Sequence, residues 1–268
     1  MDTTHAHRRG ILPIGFVVSV VACAVSWRYA DASLSIWFSE WNRAWTDAPF
    51  VLGLRQLGKV WALAWLLLLW VTVTRRTRPV TTAFLALVFT AVLVLPLKES
   101  VGRIRPGEYL DLPIEKINDI PIAGHSFPSG DVATVCAVTF SLICVLSWRT
   151  WTVLLGLCLL SGVLRLVVLA HHLSDLWAGA AVGILCAYLA LRLDHSGFFD
   201  SSLLDRRIWM ARTGLVALPV LWCIEGLVPV LTFAVTIAPV AILLAVGSRW
   251  RSAEIERLQR EIDSVKEQ

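Results

Sequence analysis

Long apolar runs separated by short polar segments dominate the pattern of this 268-residue chain. Six runs are long enough, or nearly so, to cross the roughly 30 Å of hydrocarbon in a bilayer as helices. They cover residues 11–27, 51–73, 80–97, 132–147, 151–170 and 176–191. The pattern therefore predicts an all-α fold, a polytopic integral-membrane bundle with a six-helix core within residues 1–200.

Three other segments depart from this pattern. Residues 33–45 place aromatic side chains among polar ones, which predicts an amphipathic helix on the membrane surface. The apolar residues 213–246 are too many for one span and are interrupted by prolines, so residues 201–247 are predicted to add a hydrophobic hairpin or a re-entrant segment. Residues 248–268 space apolar side chains at helical intervals, which predicts a short amphipathic cytoplasmic helix.

The composition supports a membrane protein. Hydrophobic residues make up 57% of the chain, charged residues 16%, and the mean hydropathy is +0.69, so lipid must solvate many side chains. The net charge of +4 is small and its basic residues lie in short loops, so no nucleic-acid partner is expected. All six cysteines lie in apolar runs, where small buried side chains are expected rather than disulfides or metal ligands. No cleavage site follows the first apolar run, which is expected to be a retained span.

Basic loops predict the orientation. If the six spans alternate, these loops all fall on one side, which the positive-inside rule makes cytoplasmic. The basic residues are Arg8, Arg9, Arg75, Arg76, Arg78, Arg149, Arg192, Arg206 and Arg207. The loop over residues 98–127 is then external, so we expect an inner (cytoplasmic) membrane protein whose site faces the periplasm or exterior.

Polar residues recur at the external ends of the third to sixth predicted spans. They are Lys98 and Arg105 after the third, Ser129, Gly130 and Asp131 before the fourth, and Arg165, His171 and Asp175 between the fifth and sixth. Ionisable residues at membrane depth are costly and usually mark a functional site.

Phosphoryl transfer is the chemistry that suits this set. Lys98, Arg105 and Arg165 are suited to neutralise a phosphate dianion. A helix beginning at Ser129-Gly130 would offer free N–H groups and its positive dipole end to an anion. A histidine in this set is suited to attack phosphorus, with an aspartate four residues on holding its other ring nitrogen.

Three ordered motifs carry a family resemblance. They are K-x6-R-P from Lys98 to Pro106, P-S-G from Pro128 to Gly130, and R-x5-H-x3-D from Arg165 to Asp175. Over about residues 80–191 the chain resembles the type-2 phosphatidic acid phosphatase superfamily. That family includes membrane lipid phosphatases, lipid-linked phosphotransferases and, more distantly, vanadium haloperoxidases.

The resemblance implies a hydrolase that needs no metal and no cofactor, because cationic side chains neutralise the phosphate. His171 would be the nucleophile, forming a phosphohistidine, and Asp175 would orient it. The residues binding the phosphate oxygens would be Lys98, Arg105, Arg165, Ser129 and Gly130.

Two residues depart from the family pattern. Leu164 replaces a serine, which removes a secondary polar contact. Asp131 replaces the histidine that the family uses to protonate the leaving group. Three interpretations stay open: Asp131 is the acid; His125 or His172 takes the role, or none is needed because the leaving group is already good; or hydrolysis is impaired.

Neighbouring polar residues have less specific expectations. His125 is either solvated or lines the site, and His172 is an interfacial neighbour of His171. Lys59 is expected to snorkel toward the headgroups, and Arg103 is a plausible extra headgroup contact.

The expected substrate is a lipid phosphate or diphosphate of the isoprenoid, phosphatidylglycerol phosphate, phosphatidic acid or lipid A type. One alternative is a phosphotransferase that passes the phosphoryl group to another lipid or sugar. The other is a non-catalytic lipid-binding or transport protein that retains the fold. The sequence does not predict the oligomeric state.

Overall fold

The computed structural model describes residues 3–45, 59–74, 77–110, 116–117, 120–121 and 124–195. Its helices are α1 (Thr3–Tyr29), α2 (Asp31–Trp45), α3 (Val60–Thr74), α4 (Thr77–Val101), α5 (Pro106–Tyr109), α6 (Gly130–Ser141), α7 (Trp148–Val167) and α8 (Leu173–His195). Two short strands, β1 (Lys116–Ile117) and β2 (Ile120–Pro121), pair antiparallel in the loop before α6. The predicted all-α class is confirmed, while the segments predicted over 201–247 and 248–268 lie outside the described residues.

Among the described residues, four helical stretches are long and apolar enough to cross a membrane. They are Gly10–Tyr29, Pro79–Tyr109, Trp148–Val167 and Leu173–Asp194. Each overlaps one of the six predicted spans, namely the first, third, fifth and sixth. The chain is therefore a membrane protein, and these four helices could span the bilayer.

The fourth predicted span is shorter than expected. Helix α6 has only 12 residues, and the chain turns at Leu142 instead of continuing to residue 147. At 1.5 Å per residue this is about 18 Å, less than the hydrocarbon thickness. Its apolar side chains are nearly all buried, so α6 is hydrophobic because protein surrounds it and not because it faces lipid. Of the second predicted span, the structure describes only the residues from 59 onward. These form α3, which runs from Val60 to Thr74.

Helices α6 and α8 form the centre of the bundle. More than half of the apolar window in α8 is buried, 56%, against 17% in α1. Gly179 and Gly183, one turn apart on α8, lie against the backbone of α6. This is the small-residue spacing that lets membrane helices approach closely, and it places the start of α6 beside the start of α8.

The remaining helices surround this pair. Helices α1 and α4 pack on α8, and α7 packs on α6 and on α2. A helix was predicted over residues 33–45, and α2 provides it. The predicted burial of cysteine holds for Cys136, Cys158 and Cys186.

Candidate active site

The predicted polar residues meet where four helices begin or end. Lys98 lies in the last turn of α4, Ser129 caps the start of α6, and Arg165 lies in the last turn of α7. His171 stands in the linker before α8, and Asp175 lies in the first turn of α8. All except the half-buried Lys98 are buried. The structure thus brings together, inside an apolar bundle, residues that are far apart in the sequence.

The imidazole of His171 is oriented by a main-chain carbonyl. Its Nδ1 lies 2.7 Å from the carbonyl oxygen of Ser126, whereas Oδ2 of Asp175 is 3.7 Å away. A carbonyl oxygen can only accept, so Nδ1 carries the proton and Nε2 keeps its lone pair. The nitrogen predicted to be held by Asp175 is therefore hydrogen-bonded to Ser126 in this geometry.

The surroundings of His171 keep its ring neutral. Burial lowers the pKa of His171 to about 4, and the nearby positive charges of Arg105 and Lys98 act in the same direction. The carboxylate of Asp175 opposes this shift but does not reverse it. Near neutral pH the ring is therefore an unprotonated base with Nε2 available.

Asp175 connects several elements. Its Oδ1 accepts a hydrogen bond from Nη1 of Arg103 at 2.7 Å, and its Oδ2 accepts one from the backbone N–H of His172 at 2.8 Å. Its own carbonyl accepts from the backbone N–H of Ser129 at 2.9 Å. Asp175 therefore holds the linker, the start of α8 and the start of α6 in one arrangement around His171.

Arg103 faces inward, not toward lipid headgroups as the sequence suggested. Its Nη2 pairs with Oδ2 of the buried Asp31 at 2.7 Å, and its guanidinium lies 4.0 Å from the ring centroid of Trp27. Nη1 also donates to Oγ of Ser174 at 2.6 Å. Asp31 accepts hydrogen bonds from both the backbone N–H and the hydroxyl of Ser174. A buried network thus links the start of α2 to Asp175.

Two predicted phosphate-binding cations hold the loop before α6. Arg105 donates from Nε to the carbonyl of Gly124 at 3.0 Å and from Nη1 to the carbonyl of Ala170 at 2.9 Å. Lys98 donates from Nζ to the carbonyl of His125 at 2.6 Å. Gly124 has a φ of +93°, in the left-handed region that favours glycine. These contacts bring the loop carrying Ser126 over His171.

Asp131 lies between two cations. Its Oδ2 is 2.8 Å from Nη2 of Arg165 and 3.4 Å from Nζ of Lys59. Two such neighbours stabilise the ionised carboxylate over the acid, which makes it a poor proton donor in this arrangement. Lys59, expected to snorkel outward, instead reaches into the site.

Ser129 presents a buried hydroxyl to the site. It caps α6 with an extended backbone, yet its side chain makes no capping hydrogen bond. Its Oγ is buried and has no hydrogen-bond partner among the described residues. Buried hydroxyls are usually satisfied, so this one is suited to a ligand's oxygen. A side chain at Gly130 would meet only Val94, at an ordinary 3.6 Å.

The rings of the two additional histidines contact residues other than the proposed phosphate-binding side chains. The exposed His125 ring lies 3.8 Å from Oε2 of Glu99. Nδ1 of His172 lies 3.2 Å from Oγ of Ser35, and its Nε2 lies 3.4 Å from the carbonyl of Ile104. Burial and the nearby positive charge of Arg103 lower the pKa of His172, and its ring lies between Ser35 of α2 and the carbonyl of Ile104.

Sequence reasoning missed Ser126, Asp31 and the inward position of Arg103. The contribution of Ser126 is a carbonyl oxygen, which leaves no mark on residue type. Asp31 offered one signal, an acidic residue at a helix start beside an apolar run, where an unpaired charge would be costly.

One segment of the chain is similar to a known protein family. Residues 79–197 match the model of the PAP2 superfamily. The match agrees with the resemblance predicted over residues 80–191 and contains all three motifs. The matched segment covers α4 from residue 79 onward and all of α5 to α8, and therefore every predicted site residue, while α1 to α3 precede it.

Curated relatives are bacterial. The chain is 35% identical over 104 residues to a lipid A 1-phosphatase of Rhizobium johnstonii, covering 37% of this chain and 41% of that protein. A lipid A 1-phosphatase of Rhizobium etli is also 35% identical over 104 residues, with 44% of its length covered. The chain thus spans less than half the length of these relatives. A crystal structure of Aquifex aeolicus LpxE is 26% identical, covers 58% of this chain and 92% of its own, and has a TM-score of 0.45.

Proposed function

We propose that the chain is a membrane lipid phosphatase that works through a phosphohistidine on His171. The observation that carries this proposal is the hydrogen bond from Nδ1 of His171 to the carbonyl of Ser126, at 2.7 Å. It leaves the unprotonated Nε2 as a nucleophile in a buried, cation-rich pocket.

In the first step, Nε2 of His171 forms a bond to phosphorus while the bond from phosphorus to the lipid oxygen breaks, and the lipid oxygen leaves with the electron pair and takes a proton from water. Lys98, Arg105 and Arg165 would stabilise the charge on the phosphoryl oxygens, together with the hydroxyl of Ser129. In the second step, water attacks the phosphohistidine, so that inorganic phosphate leaves and His171 is restored. The cations would supply the neutralisation that a metal ion gives other phosphatases.

In this proposal Asp131 is not the general acid. Its carboxylate lies against Arg165 and Lys59, so its role is to hold these cations near the phosphate. A leaving group that is a weak base, such as the phosphate of a diphosphate, needs no strong acid. Alternatively, an incoming phosphate displaces the carboxylate from Arg165 and takes over both cations.

The substrate is proposed to be a membrane lipid carrying a phosphate or diphosphate. The names of the two Rhizobium relatives favour a lipid A type phosphate, ahead of isoprenoid, phosphatidylglycerol or phosphatidic acid phosphates. From the basic loops, we place the protein in the inner membrane with this site on the periplasmic or exterior side. We further propose that residues 1–200 form the phosphatase core, followed by the hydrophobic segment at 201–247 and a cytoplasmic helix at 248–268.

The test is phosphate release by purified protein from a panel of these lipids, with a chelator present. We expect release by the wild type, no release by His171→Ala, and near wild-type release by His125→Ala. The second variant is a matched control, because it removes the exposed imidazole that faces Glu99. Inactivity on every lipid, loss of activity with chelator, or full activity of His171→Ala would overturn the proposal. Label appearing on an added lipid or sugar acceptor, instead of in free phosphate, would favour the phosphotransferase.

A further inference from the structure

Helix α2 begins with a buried carboxylate. Asp31 is the first residue of the helix, and only 4% of it is exposed. The first turn of a helix favours an acidic residue, but an exposed carboxylate would satisfy that preference equally well. Because burying a charge is costly unless the charge is paired, the reason for this burial must lie in what Asp31 contacts.

Both carboxylate oxygens of Asp31 bind groups close to the candidate nucleophile. Oδ1 accepts a hydrogen bond from the backbone N–H of Ser174 at 2.9 Å. Oδ2 accepts one from the hydroxyl of Ser174 and one from Nη2 of Arg103, the latter at 2.7 Å. A second residue of α2 reaches the same linker, since Oγ of Ser35 lies 3.2 Å from Nδ1 of His172. Helix α2 therefore contacts the chain at the start of α8 at two points.

Arg103 connects Asp31 to both groups that lie beside the imidazole of His171. Its guanidinium donates from Nη1 to Oδ1 of Asp175 at 2.7 Å, and its own carbonyl accepts from the backbone N–H of Ser126 at 2.7 Å. Ser126 in turn provides the carbonyl next to Nδ1 of His171. A displaced Arg103 would therefore displace both the acceptor of the Nδ1 proton and the carboxylate beside it.

The last turns of α1 contact Arg103 as well. The guanidinium lies 4.0 Å from the ring centroid of Trp27, a cation–π contact. The same indole packs edge-on against Phe127, at 5.3 Å between ring centroids, in the loop that carries the carbonyl of Ser126. Helices α1 and α2 thus hold Arg103 by an aromatic face and a carboxylate, and both helices precede the segment that matches the PAP2 superfamily.

We propose that Asp31 is a positioning residue for the candidate reaction, which holds Arg103 and Ser174 so that Nε2 of His171 keeps its orientation. The inference rests on the proposed phosphatase function and assigns a role in it to helix α2. Because the partners of Asp31 are Arg103 and Ser174, and not the side chains proposed to bind phosphate, its loss is expected to change kcat more than KM.

The first experiment compares two neutralised carboxylates on α2. Asp31→Asn removes the buried charge at nearly constant size, and Glu40→Gln is the matched control because Glu40 is exposed on the same helix. In hydrolysis of dipalmitoyl phosphatidic acid, we expect Asp31→Asn to lower kcat roughly three- to fivefold with KM within about twofold, since a displacement well below 1 Å costs less than the 10²-fold of a full one. Glu40→Gln is expected to keep the wild-type kcat. Unchanged kcat in Asp31→Asn, or an equal fall in Glu40→Gln, would overturn the proposal.

A double variant tests whether Asp31 acts through Arg103. In the Arg103→Ala background, Asp31→Asn is expected to lower kcat by less than about twofold, because the connection is already broken. Losses that multiply would show two independent effects and contradict the proposal. If Asp31→Asn does not fold, Ser174→Ala removes the hydroxyl that binds both Asp31 and Arg103. It is expected to lower kcat in the otherwise wild-type protein but not in Arg103→Ala; multiplying losses would again contradict the proposal.

Nitrogen-15 NMR of histidine-labelled protein in detergent tests the positioning without catalysis. The ring signals of His171 are assigned by their absence in His171→Ala. We expect the wild type and Glu40→Gln to show Nδ1 protonated and Nε2 unprotonated, and Asp31→Asn to shift these signals. A wild type that releases no phosphate but shows this difference would contradict the phosphatase proposal and support the positioning role. Unshifted His171 signals in Asp31→Asn would contradict the positioning role.

Discussion

Gly179→Ala is expected to disturb catalysis because Gly179 lies against the backbone that begins α6. A Cβ at this position would lie 2.5 Å from the carbonyl oxygen of Ser129 and 3.3 Å from the backbone nitrogen of Ala133. Ordinary contacts begin near 3.4 Å, so the start of α6 must move by about 0.9 Å. Backbone atoms are the obstacle, so no side chain can rotate to relieve the contact.

The size of the effect follows from that displacement. A misplacement of about 1 Å can cost 10²-fold in rate, which equals about 2.7 kcal/mol in the barrier. Stability is expected to change less, because the helix propensity gained from alanine, about 1 kcal/mol, offsets part of an overpacking cost of about 1–3 kcal/mol. We therefore expect kcat/KM to fall roughly 10- to 100-fold with a modest change in thermal stability.

The assay pairs phosphate release with thermal unfolding in detergent. Gly156→Ala on α7 is the control, since a Cβ there meets nothing within 4 Å; it is expected to keep full activity and to gain stability of up to about 1 kcal/mol. Wild-type kcat/KM in Gly179→Ala would refute the argument that close α6–α8 packing positions Ser129.

Three other predictions concern the charged groups of the site. If an incoming phosphate displaces Asp131 from Arg165, Asp131→Asn is expected to lower KM and preserve kcat in lipid phosphate hydrolysis, because the carboxylate no longer competes for Arg165. If the carboxylate instead holds the two cations in place, KM is expected to rise, and loss of kcat on monophosphates alone would identify Asp131 as the acid. Arg103→Ala is expected to lower kcat/KM roughly tenfold or more, and Asp31→Asn is expected to give a smaller loss. If Arg103→Lys keeps full activity, the several hydrogen bonds made by the guanidinium of Arg103 are unimportant. In a pH profile of kcat/KM, the neutral form of His171 is the active one, so activity is expected to hold as pH falls from about 7 to 5 and to decline near its pKa of about 4. A decline centred on about pH 6.5, the ordinary histidine value, would contradict the neutral, buried ring.

The membrane-length helices could be predicted because a long apolar run has few alternatives in a bilayer. The length of α6 could not, since a helix buried in protein and a helix exposed to lipid have the same apolar composition. Its end at Ser141 depends on the helices around it. In this respect the sequence indicates which segments are apolar but not what covers them.

The candidate site shows a similar division. His171, Lys98 and Arg105 could be selected from residue type and motif order, because few other residues suit phosphate chemistry. The hydrogen bond from His171 to Ser126 could not, since every residue has a carbonyl. The pairing of Arg103 with Asp31 joins segments 72 residues apart, and only the packing of α2 on the bundle brings them together.

Trapping the phosphoryl-enzyme tests the central claim most directly. Wild type, His171→Ala and His125→Ala would be mixed with a lipid carrying a radiolabelled phosphate, quenched in alkali, and the label located by peptide mapping. We predict an acid-labile label on His171 in the wild type and in His125→Ala, and none in His171→Ala. Label on another residue, or phosphate release by His171→Ala at the wild-type rate, would contradict the account.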